Sequence, residues 1–145
     1  MAVTVKDFFE TARERAGLEL VTGERGLARP IHEPAIHRPG LALAGFFKHF
    51  AFRRIQVMGM AEHEYLLALG RQERCVCLRR LFQRRIPCLV VTRGRKVWPE
   101  ILDLASEFRI PILRTPLITG PFINLATMIM EHFMAPRATV QGTEG

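Results

Sequence analysis

The chain has 145 residues, a hydrophobic fraction of 48% and a formal net charge of +7, with 21 basic residues against 14 acidic ones. This length predicts one domain, and the hydrophobic fraction excludes an intrinsically disordered chain. No apolar run reaches the roughly 18 residues that span a bilayer, and the N-terminus lacks the layout of a signal peptide, so we predict a cytoplasmic protein.

The first predicted helix covers about residues 5–15. Thr4 and Asp7 form a capping-box-like start, and Gly17 ends the helix. The alternating segment 18–21 follows and predicts a short strand. These elements predict an edge strand and a helix that covers the sheet.

Glycine and proline dominate residues 22–40, so little regular helix is expected there. Ile31 and Ile36 are candidate strand residues within this stretch. Residues 39–47 are small and apolar, which is compatible with either a turn of helix or a buried loop. Three aromatic side chains then lie close together and form either part of the core or a patch that docks a partner. These residues are Phe46, Phe47 and Phe50.

Three apolar segments of strand length alternate with helical patterns in the rest of the chain. The segment 87–92 is apolar without alternation, which is typical of a strand buried on both faces. In the first of the helices, Glu62 and Glu64 are expected outside, with Tyr65, Leu66 and Leu69 inside. The predicted strands are 54–59, 87–92 and 110–114, and the predicted helices are 60–69, 71–84, 98–108 and 120–134. This order predicts an α/β fold, a three-layer α/β/α domain with a mainly parallel sheet of about four to five strands.

The helix 71–84 and the residue after it are rich in arginine. Apolar residues recur there at helical spacing, so the arginines form either a solvated face or a surface for an anionic partner. Nucleic acid is disfavoured as a partner, because aromatic side chains do not alternate with the arginines as a stacking surface requires.

Known catalytic and metal patterns are missing from the sequence. It contains no phosphate-binding G-x-x-x-x-G-K-[ST] loop and no nucleophile elbow. His32 and His37 lie five residues apart, which does not fit a metalloprotease helix. Cys75, Cys77 and Cys88 form no zinc or redox motif and are interpreted as small apolar residues in a reducing compartment. We therefore predict no catalytic residues, no metal site and no cofactor in this chain.

One anion site is still predicted. Ligands of open parallel sheets lie beyond the carboxyl ends of the strands, and arginine suits phosphate or carboxylate. The residues at two such ends are Thr92, Arg93, Arg114 and Thr115. The alternative is that these arginines extend into solvent and the threonines cap helices.

The chain also resembles the N-terminal domain of the bacterial HPr kinase/phosphorylase family. Each motif alone is modest, whereas their order and spacing are specific. The matching stretches are Arg38-Pro39-Gly40-Leu41-Ala42-Leu43-Ala44-Gly45-Phe46, the segment 54–59 with Glu62, Tyr65 and Leu66, then Arg79, Leu81 and Phe82 before 86–94, and finally 110–115 and 135–142.

The resemblance implies the regulatory or ligand-sensing half of a two-domain enzyme of the sugar phosphotransferase system, with a fold similar to the first domain of the Mur ligases. In that family the C-terminal half uses ATP and magnesium to phosphorylate a serine of HPr, which regulates carbohydrate metabolism. That absent half would also bind HPr and mediate self-association. A small anionic metabolite is the partner expected for this half, and no membrane is expected.

The chain departs from the family pattern in two places. The family usually has histidine where Gln141 stands, and it continues past Gly142 into the phosphate-binding loop. No family catalytic residue has a counterpart here. We expect residues 1–134 to form the domain and 135–145 a linker or tail toward an absent kinase domain, in a fragment of a longer protein. The alternative is a stand-alone binding module for an anionic metabolite or a protein partner.

Overall fold

The structure is a computed structural model that describes residues 2–136. Its strands pair into a sheet of four and a smaller sheet of two. The strands are β1 Val3–Thr4, β2 Glu19–Thr22, β3 Pro30–Ile31, β4 Gln56–Met58, β5 Leu89–Val91 and β6 Ile112–Arg114. The α-helices are α1 Val5–Ala16, α2 Gly40–Leu43, α3 Met60–Ala68, α4 Arg71–Gln83, α5 Pro99–Phe108 and α6 Thr119–Met134, and a 3-10 turn covers Glu24–Gly26.

The four-stranded sheet is mainly parallel. Its strand order is β2-β6-β5-β4; β4, β5 and β6 run parallel, and β2 pairs antiparallel with β6 at one edge. The predicted edge strand is therefore confirmed, as is the α/β class. The small antiparallel sheet of β1 and β3 was not predicted in full, because a two-residue strand leaves no periodicity in the sequence.

Two buried apolar clusters lie on opposite faces of the sheet. Val57 and Val90 belong to the cluster that includes α1 and α6. Their neighbours Met58 and Val91 belong to the cluster that includes α2, α3, α4 and α5. Because successive side chains of a strand point to opposite faces, a strand covered on both sides is apolar throughout. The helices thus form the two outer layers of a three-layer domain.

Helix α1 is capped at both ends by residues that are close in sequence. Thr4 N donates to Asp7 Oδ2 at 3.0 Å, and Asp7 N donates to Thr4 Oγ1 at 3.1 Å, which is the predicted capping box. Gly17 ends the helix with φ of 57°, a left-handed conformation that glycine adopts without steric cost.

The three parallel strands are shorter than expected. Each has three residues, because the predicted ranges included flanking positions such as Pro87 and Pro111, and proline has no N–H to donate to a ladder. Ile36 lies outside the strands, and the next residue, His37, makes a single parallel bridge to Gln56.

Two side chains of α3 face the opposite way from the prediction. Glu62 is only 5% exposed and Tyr65 is 39% exposed. The inward face of α3 consists of Glu62, His63 and Leu66, which leaves Tyr65 toward solvent. The cause is that the Glu62 carboxylate accepts hydrogen bonds from Gly59 N and Arg38 Nη2.

Candidate functional site at the carboxyl edge of the sheet

The two threonines of the predicted anion site follow β5 and β6 directly, and both are fully buried. Thr92 Oγ1 lies 2.7 Å from Thr119 Oγ1. Thr115 Oγ1 donates to Ala16 O at 2.5 Å and accepts from Leu117 N at 3.1 Å. Both hydroxyls therefore have protein partners, and they join the strand ends to α1 and to the start of α6.

The two arginines of that site lie in different surroundings. Arg114 donates to Glu19 Oε1 from Nε at 3.1 Å and from Nη2 at 2.8 Å, across the pair of β6 and β2. Arg93 is exposed and makes no ion pair within residues 2–136. The structure thus brings the predicted residues to one edge, with Arg93 as the arginine open to a ligand.

The turn that carries Arg93 is held firmly. Arg93 and Gly94 have φ of 64° and 62°, which is typical of the central pair of a type I′ turn. Arg93 N donates to Leu117 O and Gly94 N donates to Thr115 O, both at 2.8 Å. The loops after β5 and β6 are therefore tied together, and the Arg93 side chain starts from a fixed backbone.

A buried polar contact at the end of β4 was not predicted. Glu62 Oε1 accepts from Gly59 N at 2.9 Å and from Arg38 Nη2 at 3.0 Å. A Cβ on Gly59 would lie 2.7 Å from both Arg38 Nη2 and Thr119 Oγ1, so a larger residue would have to displace these side chains. Glutamate three residues after Gly59 is the side-chain half of a capping box, and this spacing was the available sequence signal.

A second group of polar side chains lies between α3 and the loop after β5. The His63 ring packs on Trp98 with centroids 4.7 Å apart, and Arg74 lies 5.1 Å over the same indole. Arg74 Nε also donates to Glu100 at 2.9 Å. The Trp98 indole therefore contacts both the His63 ring of α3 and the Arg74 guanidinium of α4.

Two atoms in this group are buried and have no hydrogen-bond partner among residues 2–136. They are His63 Nδ1 and Arg95 Nε, and His63 is 7% exposed as a whole. Burial lowers the pKa of His63, and the nearby Arg95 lowers that pKa further. The imidazole is consequently neutral near pH 7, and its Nδ1 can accept or donate one hydrogen bond.

The aromatic residues proposed for docking differ in exposure. Phe46 is 52% exposed. Phe47 and Phe50 pack against the core and meet edge to face with centroids 5.7 Å apart. Arg84 covers Phe47 at 4.2 Å. A partner would reach Phe46 first, and docking through this patch stays a prediction.

Two arginines of helix α4 form ion pairs with glutamates of the same domain. Arg79 donates to both carboxylate oxygens of Glu107 at 2.7 and 2.9 Å, and Arg74 pairs with Glu100. Within residues 2–136, Cys75 and Cys77 are unbonded and partly buried, and Cys88 is unbonded and buried.

Within residues 2–136, no three His, Cys, Asp or Glu side chains gather as metal ligands would. Among the same residues, the helices are too short or too polar to cross a membrane.

Fold and site together define a three-layer α/β domain with arginine, glutamate and histidine side chains gathered at the strand ends. Over residues 3–130 the sequence matches the family described as HPr Serine kinase N terminus, and the chain belongs to that family.

Curated relatives extend this result. The HPr kinase/phosphorylase of Brevibacillus brevis is 35% identical over 125 residues, which are 86% of this chain and 40% of the relative. The HPr kinase/phosphorylase of Chloroherpeton thalassium is 38% identical over 135 residues, which are 90% of this chain and 39% of the relative. The chain thus spans about two fifths of the length of the relatives it matches.

A solved structure shares the fold. The regulatory region of a Clostridium perfringens pyrophosphatase, with its CBS and DRTGG domains, aligns with a TM-score of 0.57 and 17% identity. The alignment covers 81% of this chain and 45% of that one.

Proposed function

We propose that this chain is a non-catalytic regulatory domain of an HPr kinase/phosphorylase and that it senses a small anionic ligand at the carboxyl edge of its sheet. The complete enzyme would control carbon metabolism by ATP-dependent phosphorylation of HPr. ATP, magnesium and HPr would then be handled by the part of the relatives that lies outside the matched region.

The observation that carries the proposal is that two buried atoms, His63 Nδ1 and Arg95 Nε, have no hydrogen-bond partner in the described part of the chain. Buried polar atoms in folded proteins nearly always have a hydrogen-bond partner. A ligand oxygen would accept from Arg95 Nε, and a ligand hydroxyl would pair with His63 Nδ1. A sugar phosphate or nucleotide offers both groups.

The residues at the strand ends would complete this site. Arg93 supplies a guanidinium without an ion pair in the described chain, and a ligand anion would compete with Glu19 for Arg114. Thr92 and Thr115 would shape the site through the contacts that fix its loops. The fold neighbour lends support, because the regulatory region of that pyrophosphatase is complexed with an anionic activator, diadenosine tetraphosphate.

Ligand binding is tested by thermal unfolding with a uridine nucleotide sugar and with an adenine nucleotide. At about 100 times the dissociation constant, a ligand of the folded state raises the free energy of unfolding by about 2.7 kcal/mol. We expect Arg95→Ala and His63→Phe to abolish the rise, since phenylalanine keeps the contact with Trp98 but has no Nδ1. Arg13→Ala on α1 is the control. An equal ligand-induced rise in the free energy of unfolding in all three variants, or no rise in the wild type, would contradict the proposal.

The absence of catalysis is tested separately. With ATP, magnesium and purified HPr, we expect no phosphate transfer to HPr by the 145-residue chain. Transfer measured by phosphoprotein electrophoresis would show that the chain is an enzyme.

A further inference from the structure

Arginines that precede two of the three parallel strands line a cavity at the opposite, amino edge of the sheet. Arg53 lies before β4 and Arg85 before β5, and both line one cavity of about 390 Å³ together with Arg29 and His32. The carboxyl-edge site uses none of these residues. Ligand pockets in proteins usually measure about 300–1,000 Å³, so this cavity is large enough for a small metabolite.

Among residues 2–136, no carboxylate lines the cavity. Within residues 2–136, none of the five ion pairs involves Arg29, Arg53 or Arg85. The carboxylate of Glu33, next to His32 in the chain, pairs with Arg54 at 2.6 Å. Three arginines therefore line one small space without a counter-charge from the described chain.

Arg29 is fixed toward this space. Arg29 Nη2 donates to Ile86 O at 2.8 Å, and its backbone carbonyl accepts from Val5 N at 3.0 Å. Arg29 Nε is buried and has no hydrogen-bond partner in the part of the chain that the structure describes. Burial lowers the pKa of Arg29, and the positive charge of Arg85 lowers it further. An anion in the cavity would relieve this repulsion and accept from the guanidinium groups.

Arg85 occupies a backbone position that favours glycine. Its φ is 58°, in the left-handed region that residues other than glycine, asparagine and aspartate rarely adopt. Arg109, which precedes β6, has φ of 55° but does not line the cavity. The two residues have the same charge and the same backbone strain, so they form a matched pair for experiment.

The rest of the cavity wall is apolar and includes Pro30, Phe52 and Pro87. Phe52 is 43% exposed, and its ring lies 5.7 Å from the Arg53 guanidinium. Guanidinium groups fork onto phosphate oxygens, and an exposed ring provides a surface for a flat organic group. The wall therefore combines a phosphate-binding side with an apolar side.

We propose that this amino-edge cavity is a second ligand site that binds a phosphomonoester, with its phosphate on Arg29, Arg53 and Arg85 and its organic body against Phe52. The site is independent of the carboxyl edge and of the proposed sensing role. Binding of nucleic acid is the competing explanation for the same charges.

The test is titration calorimetry of the 145-residue chain with phenyl phosphate and with inorganic phosphate at constant ionic strength. We expect saturable binding of both probes, with phenyl phosphate the tighter. Arg85→Gly and Arg53→Ala should each weaken phenyl phosphate at least about tenfold, whereas Arg109→Gly should stay within about twofold of the wild type. Since Arg85→Gly relieves the positive-φ strain at this position, we expect the variant to stay folded, and circular dichroism checks that it does.

Three outcomes would overturn the proposal: no saturable binding, unchanged binding in Arg85→Gly, or equal loss in Arg85→Gly and Arg109→Gly. If Arg85→Gly and Arg109→Gly weaken oligonucleotide binding equally, these arginines would instead belong to a nucleic-acid-binding surface. Arg95→Ala should leave phenyl phosphate binding intact, and Arg85→Gly should leave nucleotide binding at the carboxyl edge intact. These two variants therefore distinguish failure of the amino-edge proposal from failure of the carboxyl-edge proposal.

Discussion

At the scale of single residues, the carboxyl edge depends on one glycine. Gly59 has φ of −97°, so its backbone would accept other residues. What excludes a side chain is the approach of Arg38 Nη2 and Thr119 Oγ1 to the space that a Cβ would occupy. Gly59 therefore lets the Glu62 carboxylate bind the Arg38 guanidinium and the end of β4 together.

We expect Gly59→Ala to lower the free energy of unfolding by about 1–3 kcal/mol, the usual cost of overpacking. Arg38 can swing away from the added methyl, but the buried Thr119 has less freedom to move. Urea unfolding measures the loss. The control is Gly120→Ala, where a Cβ would meet nothing within 4 Å. Equal stabilities of the two variants would contradict this account of the edge.

Cys88 is a second residue whose chemistry depends on its surroundings. Burial raises the pKa of its thiol to about 12, although the nearby Arg29 opposes the shift. Since the thiolate is the reactive form, Cys88 should resist iodoacetamide in the native protein while the half-buried Cys75 and Cys77 react. Peptide mapping of native and denatured samples measures the difference. Labelling of Cys88 at the same rate as the other two would contradict it.

At the scale of elements, the ends of a helix depend on capping residues close in sequence, whereas the ends of a strand depend on pairing with other strands. Helix α1 begins and ends where its capping residues lie. The parallel strands have only three residues each, and their bounds depend on ladder hydrogen bonds to other segments. Helix limits were for this reason predicted more closely than strand limits.

The capping box of α1 gives an element-scale prediction. Thr4→Ala removes the acceptor for Asp7 N and should lower the free energy of unfolding by about 1 kcal/mol. Thr4→Ser keeps the hydroxyl and should recover most of that stability. Chemical denaturation of the two variants measures the effect, and equal losses in both would assign it to the β1 pairing instead.

At the scale of the whole molecule, the domain presents polar groups at both edges of its sheet. The carboxyl edge holds Arg38, Glu62 and His63, and the amino edge holds Arg29, Arg53 and Arg85. The apolar sheet separates the two groups, so mutations at one edge should leave the other nearly unaffected.

Two histidines make the stability of the whole domain depend on pH. Burial lowers the pKa of both His37 and His63 from the usual 6.5, with further lowering by Arg54 and Arg95 respectively, while Glu62 and Glu64 oppose the shifts. The unfolded chain therefore binds more protons than the folded one below that value. We expect the free energy of unfolding to fall as the pH drops from about 7.5 to about 5.5.

Urea unfolding across that pH range measures this dependence. The double variant His37→Gln with His63→Gln should show a flatter profile than the wild type. A wild-type stability that rises toward acid pH would contradict the assigned direction of both shifts.

Apolar periodicity and capping residues are local properties of the chain, so the class of fold could be predicted before any tertiary contact was known. The sequence also placed Thr92, Arg93, Arg114 and Thr115 at one edge, since the carboxyl ends of parallel strands lie together. Which of these residues stay open to a ligand depends on contacts between distant segments: Arg114 pairs with Glu19, and the threonine hydroxyls bond to α1 and to the start of α6. Tertiary structure also decided the burial of Glu62 and the meeting of Arg29 with Arg85. These contacts join residues far apart in the chain, and no local pattern encodes which distant partner a side chain will reach.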